Sequence, residues 1–182
     1  YINNYGDAST WMQNTDDALQ TASSVLIRVK ELVVQAANDS NTDQERAGIG
    51  QEIDKLVDTL VDAAHAKVGD RYLFGGQSDR DQPFVRNPDG TVSFSGDNHY
   101  ISMRLQAGGV SPMQDSINVT AAEAFGTDMQ MFNELNEIAK VLKGDIEVPH
   151  GQPTGTWLSF TGLANVDNNH ARVLQADASL GA

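Results

Sequence analysis

A ladder of small and apolar residues that is already running at the first position limits what this chain can fold into. Tyr1, Tyr5, Ala8, Met12, Thr15, Leu19, Ala22, Leu26, Val29, Val33 and Ala36 follow one another at alternating steps of four and three. A period of 3.5 residues keeps one stripe turned toward one partner along a supercoiled helix. At about 1.5 Å per residue the stretch makes a rod roughly 50 Å long. Its early positions are small (Ala8, Thr15, Ala22), which lets a neighbouring helix come close. Further on, Val25, Ile27, Leu32 and Val34 widen the stripe on both flanks. A wide stripe calls for burial on several sides. The first helix is therefore expected to run from about residue 1 to Ala37 and to enter a multi-helix bundle at its C-terminal half. A seam that starts without an N-cap is expected to belong to a longer rod.

Asn38-Asp39-Ser40-Asn41 breaks this helix with residues that favour caps and turns. Thr42-Asp43-Gln44-Glu45 then reads as a capping box. The second helix carries Ile49, Ile53, Leu56, Leu60 and Ala63 on one seam, with Val57, Val61 and Ala64 beside it, and is expected to end at Gly69. So short a connection forces the two helices antiparallel. Gly48 and Gly50 mark either a close helix approach or a tolerated weak first turn, each at about 1 kcal/mol against Ala.

The texture then changes. Phe84-Val85-Arg86, the turn Asn87-Pro88-Asp89-Gly90 and Thr91 to Phe94 spell a β-hairpin. Tyr100 to Leu105 alternates like a half-buried strand, with Ile101, Met103 and Leu105 on one face, and Ile117 with Val119 suggests one more. Helical spacing returns after Gly126. Thr127 to Gln130 offers a capping pattern, and Met131, Leu135, Ile138 and Leu142 run to Gly144. A loop with Pro149, Gly151, Pro153 and Gly155 leads to a last helix bearing Leu163, Val166, Val173 and Leu180. That helix reaches the final residues without a clear stop signal, and both ends are expected to be adjacent helical segments. The expected fold is mainly α with a small β insertion, an elongated antiparallel helical bundle of heptad-bearing, coiled-coil-like rods. Its bundle is discontinuous, residues 1–76 and 126–182, and the β-rich inserted subdomain is 77–125. The sequence holds neither an internal repeat nor a low-complexity tract.

With 182 residues and a formal net charge of −13, the chain repels nucleic acid and anionic lipid, so neither is expected as a partner. No run approaches the ~18 apolar residues of a membrane span. Cysteine is absent, which removes thiol catalysis, cysteine-ligated zinc and disulfides together. That absence suits an exported protein and a cytosolic one equally.

No residue pattern singles out a catalytic, cofactor-binding or metal site. Asp39, Asn41 and Asp43 stand at the first, third and fifth positions of an EF-hand-like loop, but Gln44 replaces its glycine and Gly50 its bidentate glutamate. An inter-helix turn accounts for the same residues. Of His65, His99, His150 and His170, none is three to five positions from another, so no helical metal pair forms. His170 falls in the register of the last seam, as a polar interruption that sets pairing. Neither a P-loop nor a nucleophile elbow occurs. Arg71-Tyr72-Leu73-Phe74-Gly75-Gly76 reads as a structural corner, apolar residues tucked inward before a sharp turn.

Leu32-Val33-Val34-Gln35-Ala36-Ala37-Asn38, following Arg28-Val29-Lys30-Glu31, resembles the N-terminal helical region of bacterial flagellins. The Arg71 to Gly76 corner, with Pro83-Phe84 close behind, resembles more specifically the hook–filament junction branch of that family. Phe94-Ser95-Gly96-Asp97, the stretch Ile117 to Phe125 and Leu174 to Ala182 support the likeness. It implies a structural, non-enzymatic component of the bacterial flagellum that passes through the type III flagellar export channel and assembles outside the cell. The implied partners are another hook-associated junction protein, flagellin and further copies of the chain. An export chaperone would bind beyond its end, and the chain by itself is expected to be monomeric. The alternatives are a flagellin or minor flagellin filament subunit and, from another class, a coiled-coil stalk or adhesin module.

Overall fold

The computed structural model describes residues 4–77, 81–101 and 118–180. Among them the elements are α1 (Asn4–Ala36), α2 (Asp43–Ala64), β1 (Lys67–Val68), β2 (Arg71–Tyr72), β3 (Phe84–Arg86), β4 (Val92–Phe94), α3 (Ala121–Phe125), α4 (Gln130–Lys143), α5 (Thr154–Trp157) and α6 (Leu163–Ser179). Tyr1, the side chain of Tyr5, Met103, Leu105, Ile117, Gly181 and Ala182 lie outside the described residues.

The four long helices pack antiparallel, with α1 between α2 and α6, and α2 between α1 and α4. The ladder explains this order. Ala8, Thr15, Leu19, Ala22, Leu26, Val29, Val33 and Ala36 are all buried, and a second row at heptad spacing (Trp11, Ala18, Val25, Leu32) is buried beside them. Two rows give α1 a face for each neighbour. Thr15 satisfies its buried hydroxyl on the Trp11 carbonyl at 2.9 Å. The widening is one-sided, however. Ile27 and Val34, expected to add burial, are 50% and 53% exposed, because they fall on the side of α1 that neither α2 nor α6 covers.

The α1–α2 corner follows from its asparagines. Asn41 Nδ2 donates to the carbonyls of Gln35 (2.8 Å) and Asn38 (2.7 Å), which closes the end of α1. The capping box is complete, with the Thr42 amide donating to Glu45 Oε1 at 2.7 Å and the Glu45 amide donating to Thr42 Oγ1 at 3.0 Å. Those bonds favour the ionised Glu45 carboxylate and hold its pKa below the ordinary value. Along α2 the buried stripe is Ile49, Ile53, Val57, Leu60, Val61 and Ala64, while Leu56 and Ala63 are only half-buried. The expected seam was thus rotated, since the deep side of α2 faces α4 and Leu56 and Ala63 edge the groove with α1. Gly50 is the point of closest approach to α4. A Cβ there would come within 2.8 Å of Lys143 Cγ and 2.9 Å of the Ala139 carbonyl oxygen, whereas one on Gly48 would meet nothing within 4 Å.

Helix α2 ends at Ala64 rather than Gly69, because Gly69 (φ +63°) instead turns the small β1–β2 hairpin. The corner after it is as expected. Leu73 and Phe74 are fully buried, and Gly76 takes φ +66° with Asp97 where its side chain would be.

The second hairpin has the expected turn and pairs Phe84 with Phe94, Val85 with Ser93 and Arg86 with Val92. Phe84 belongs to the main core, with ring centroids 5.2 Å from Phe94, 5.6 Å from Phe125 and 5.8 Å from Phe132. The Phe84 amide donates to His65 Nε2 at 3.1 Å, and the Val92 amide to Asn133 Oδ1 at 2.9 Å. The next expected strands are not formed at Tyr100–Ile101 or Asn118–Val119. There the Asn118 side chain does a strand's work, accepting from the Ile101 amide at 2.6 Å and donating to the His99 carbonyl at 3.0 Å.

A complete capping box, Thr120 with Glu123, starts α3, an element the sequence reading did not identify. Thr127 makes no side-chain cap for α4, correcting that expectation. The chain enters α4 through a 3₁₀ turn with Asp128 and Met129 at positive φ, and Asn133 Nδ2 donates to the Asp128 carbonyl at 3.1 Å. Helical structure also resumes earlier than expected, at Thr154, and Leu158–Gly162 is a π-helical segment leading into α6.

Candidate interaction surface

The cleft between the hairpin, α2 and α4 has a volume of about 640 Å³ and is lined by Asp54, Asp58, Arg86, Lys140, Lys143 and Asp145 among others. Its charges are engaged in tying elements together. Arg86 donates to Asp58 Oδ1 (2.7 Å), Asp54 Oδ1 (2.9 Å) and the Asp54 carbonyl (2.8 Å). Lys143 bridges Asp54 (2.5 Å) and Asp145 (3.2 Å), and the bond to Asp54 raises its pKa. The arrangement is a clasp that fixes the hairpin to the bundle.

The residues with EF-hand-like spacing form a helix connection. Asp39 is almost fully exposed and 4.0 Å from Arg46, which itself donates to the Ala36 carbonyl at 3.0 Å. Among the described residues no group of three metal-binding side chains converges. The four histidines are apart from one another in role. His65 accepts from Phe84, and burial pushes its pKa down. His99 is 3.2 Å from Asp97, His150 is exposed, and His170 Nε2 lies 2.7 Å from Ser23 Oγ across the α1–α6 seam.

That seam carries polar pairs beside its apolar stripe. Lys30 meets Asp167 at 2.9 Å and Ser23 meets His170 at 2.7 Å. The fully buried Asn169 donates to Glu134 Oε1 at 2.9 Å and accepts from Arg172, joining α6 to α4. His170 was expected in the seam register between Val166 and Val173, but the buried residue there is Asn169, with His170 half-buried beside it; an asparagine mid-helix has no distinguishing context in the sequence.

Large apolar side chains remain on the outside of the bundle. Ile27 and Val34 stand a heptad apart on α1, Leu174 on α6 is 51% exposed, and Phe160 in the π segment is 73% exposed. These sites on long helices, together with an acidic surface, are the features a rod would offer to neighbouring proteins.

The profile of the bacterial flagellin N-terminal helical region matches residues 1–79. The B-type flagellin of Pseudomonas aeruginosa is 33% identical over 106 residues, 57% of this chain and 20% of that protein. The flagellar filament 41 kDa core protein of Borreliella burgdorferi is 24% identical over 188 residues, 97% of this chain and 55% of that protein. The chain thus spans between a fifth and about half of the length of these curated relatives. Among solved structures, FlgL of Xanthomonas campestris superposes with a TM-score of 0.84 at 17% identity, covering 98% of this chain and 89% of that one. The flagellar junction protein FlgL of Legionella pneumophila gives 0.79 at 15% identity, covering 100% and 92%. A putative flagellar hook-associated protein of Vibrio parahaemolyticus gives 0.82 at 20%, covering 100% and 77%. At these identities the likeness establishes the fold.

Proposed function

We propose that this chain, whose first 79 residues match the flagellin N-terminal helical region and whose fold is that of solved junction proteins, is the flagellar hook-associated protein 3, the structural, non-enzymatic layer between hook and filament. The observation that carries this reading is the extent of the structural match, 98% of this chain and 89% of the Xanthomonas protein, which includes the small hairpin as well as the rods. Its place would be outside the cell, at the hook–filament junction, reached through the flagellar export channel. The partners we propose are the second hook-associated junction protein on one side, flagellin on the other, and copies of the chain around the ring. An export chaperone completes the set. In this reading the bundle of residues 1–76 and 126–182 stacks along the axis and transmits torque, and residues 77–125 face outward.

The test is complementation in a bacterium whose own junction protein has been deleted. Expression of the protein should restore filaments that stay attached to the hook, and a labelled copy should mark the boundary alone. The curated relatives named above are a B-type flagellin and a flagellar filament core protein, which favours a filament subunit as the second reading. Rescue of a flagellin deletion, with label along whole filaments, would select that reading and reject the first.

A further inference from the structure

We propose that Asp16 and Asp177 form a proton-operated latch on the α1–α6 seam, closed while one proton is shared between the carboxyls and loosened when it leaves. The register requires the pair to meet. Ser23 stands 2.7 Å from His170, and Asp16 precedes Ser23 by one heptad as Asp177 follows His170 by one on the antiparallel partner. Further along, Lys30 attracts Asp167 at 2.9 Å. The row therefore runs from an ion pair through a serine–histidine hydrogen bond to two acids.

Two ionised carboxylates have no donor between them, and one added proton supplies it. Asp177 Oδ1 is shut off from solvent and accepts no hydrogen bond, while Asp16 Oδ2 accepts from Gln20 Nε2 at 2.9 Å. Burial first, and Asp16 second, push the Asp177 carboxyl up to about 6. The other charged groups nearby are engaged elsewhere. Asp17 is held by Gln13 and edges the groove with α2, and Arg172 is turned to Asn169 and Gln130. Glu134 holds Asn169 and Glu123 accepts from Tyr100, while on β1 and β2 Lys67 lies over Tyr72 and Arg71 over Trp11. None of them contributes to the Asp177 shift.

A carboxyl with a raised folded-state pKa stabilises the fold in acid and loses that contribution as pH rises from the ordinary aspartate range toward about 6. Asp177→Asn puts a permanent donor in place of the proton. Its melting temperature should exceed that of the wild type by about 2–4 °C at pH 7.5, with the two converging at pH 4.5. Amide exchange in the last two turns of α6 should be slower in the variant at neutral pH only. Should the variant fail to fold, carboxyl NMR of the wild type still decides, and an Asp177 titration near 6 is expected. Parallel melting curves across the range, or an Asp177 that titrates like an exposed aspartate, would overturn the latch.

Discussion

At the residue scale the two glycines of α2 test the packing most sharply, because they have the same helical propensity and opposite surroundings. Gly48→Ala fills open space and should stabilise by about 0.5–1 kcal/mol. Gly50→Ala gains the same propensity but drives its methyl against the Ala139 carbonyl oxygen of α4, a backbone atom that cannot swing aside. We expect a net loss of about 1–2 kcal/mol, read as thermal shifts of opposite sign for the two variants. Leu26, fully buried in the α1 ladder, gives the harsher test. Leu26→Asp forfeits about 1.5–3 kcal/mol of burial and leaves a charge in the core, so circular dichroism should show the helical bundle unfolded at 25 °C. Melting at the wild-type temperature would mean that the ladder faces elsewhere. Both sites were readable in part: Leu26 is one of eight buried ladder positions, whereas nothing local separates Gly48 from Gly50.

Among the elements, α1 was the most legible, since 33 residues of one helix repeat the same periodic signal many times. The stripe of α2 was misplaced by one position at Leu56 and Ala63, because 22 residues with apolar neighbours on both sides admit two seams. The Thr120–Glu123 capping box was present in the sequence, but it opens a helix of only five residues with no periodicity to announce it. The π segment at Leu158–Gly162, which follows the buried Trp157 and begins at the buried Leu158, has no compositional signature. The hairpin was recognised from its turn, but not the clasp that holds it. Arg86 is 17% exposed and reaches two aspartates and a carbonyl on α2, so Arg86→Ala should cost about 2 kcal/mol. Hydrogen exchange at Val85 and Ser93 should rise more than exchange in α1. Equal protection in both proteins would show the clasp to be ornamental.

For the whole molecule, pH should act through two groups of opposite sign. His65 accepts the Phe84 amide only while Nε2 is unprotonated, and its folded pKa lies below the ordinary 6.5. Its contribution is therefore complete above about 6.5 and is lost as pH falls toward the folded value. Relative to His65→Gln, which accepts at any pH, the wild type should lose several degrees of melting temperature between pH 7.5 and pH 5. A constant difference would dismiss this contact. The net charge of −13 should also keep the isolated chain monomeric at micromolar concentration and low salt, as light scattering would report. A partner this distant from His65 in sequence, or a pair such as Asp16 and Asp177, is beyond what spacing reveals: each looks alone like a solvated polar residue. The amides of Phe84 and Val92 point away from one another on the two outer margins of the hairpin, and each is already occupied by a side chain of the bundle. At these two positions the ribbon offers no free donor for a passing chain to zip onto. If the chain assembles as proposed, its rods can then stack at high local density while these two margins seed no fibre.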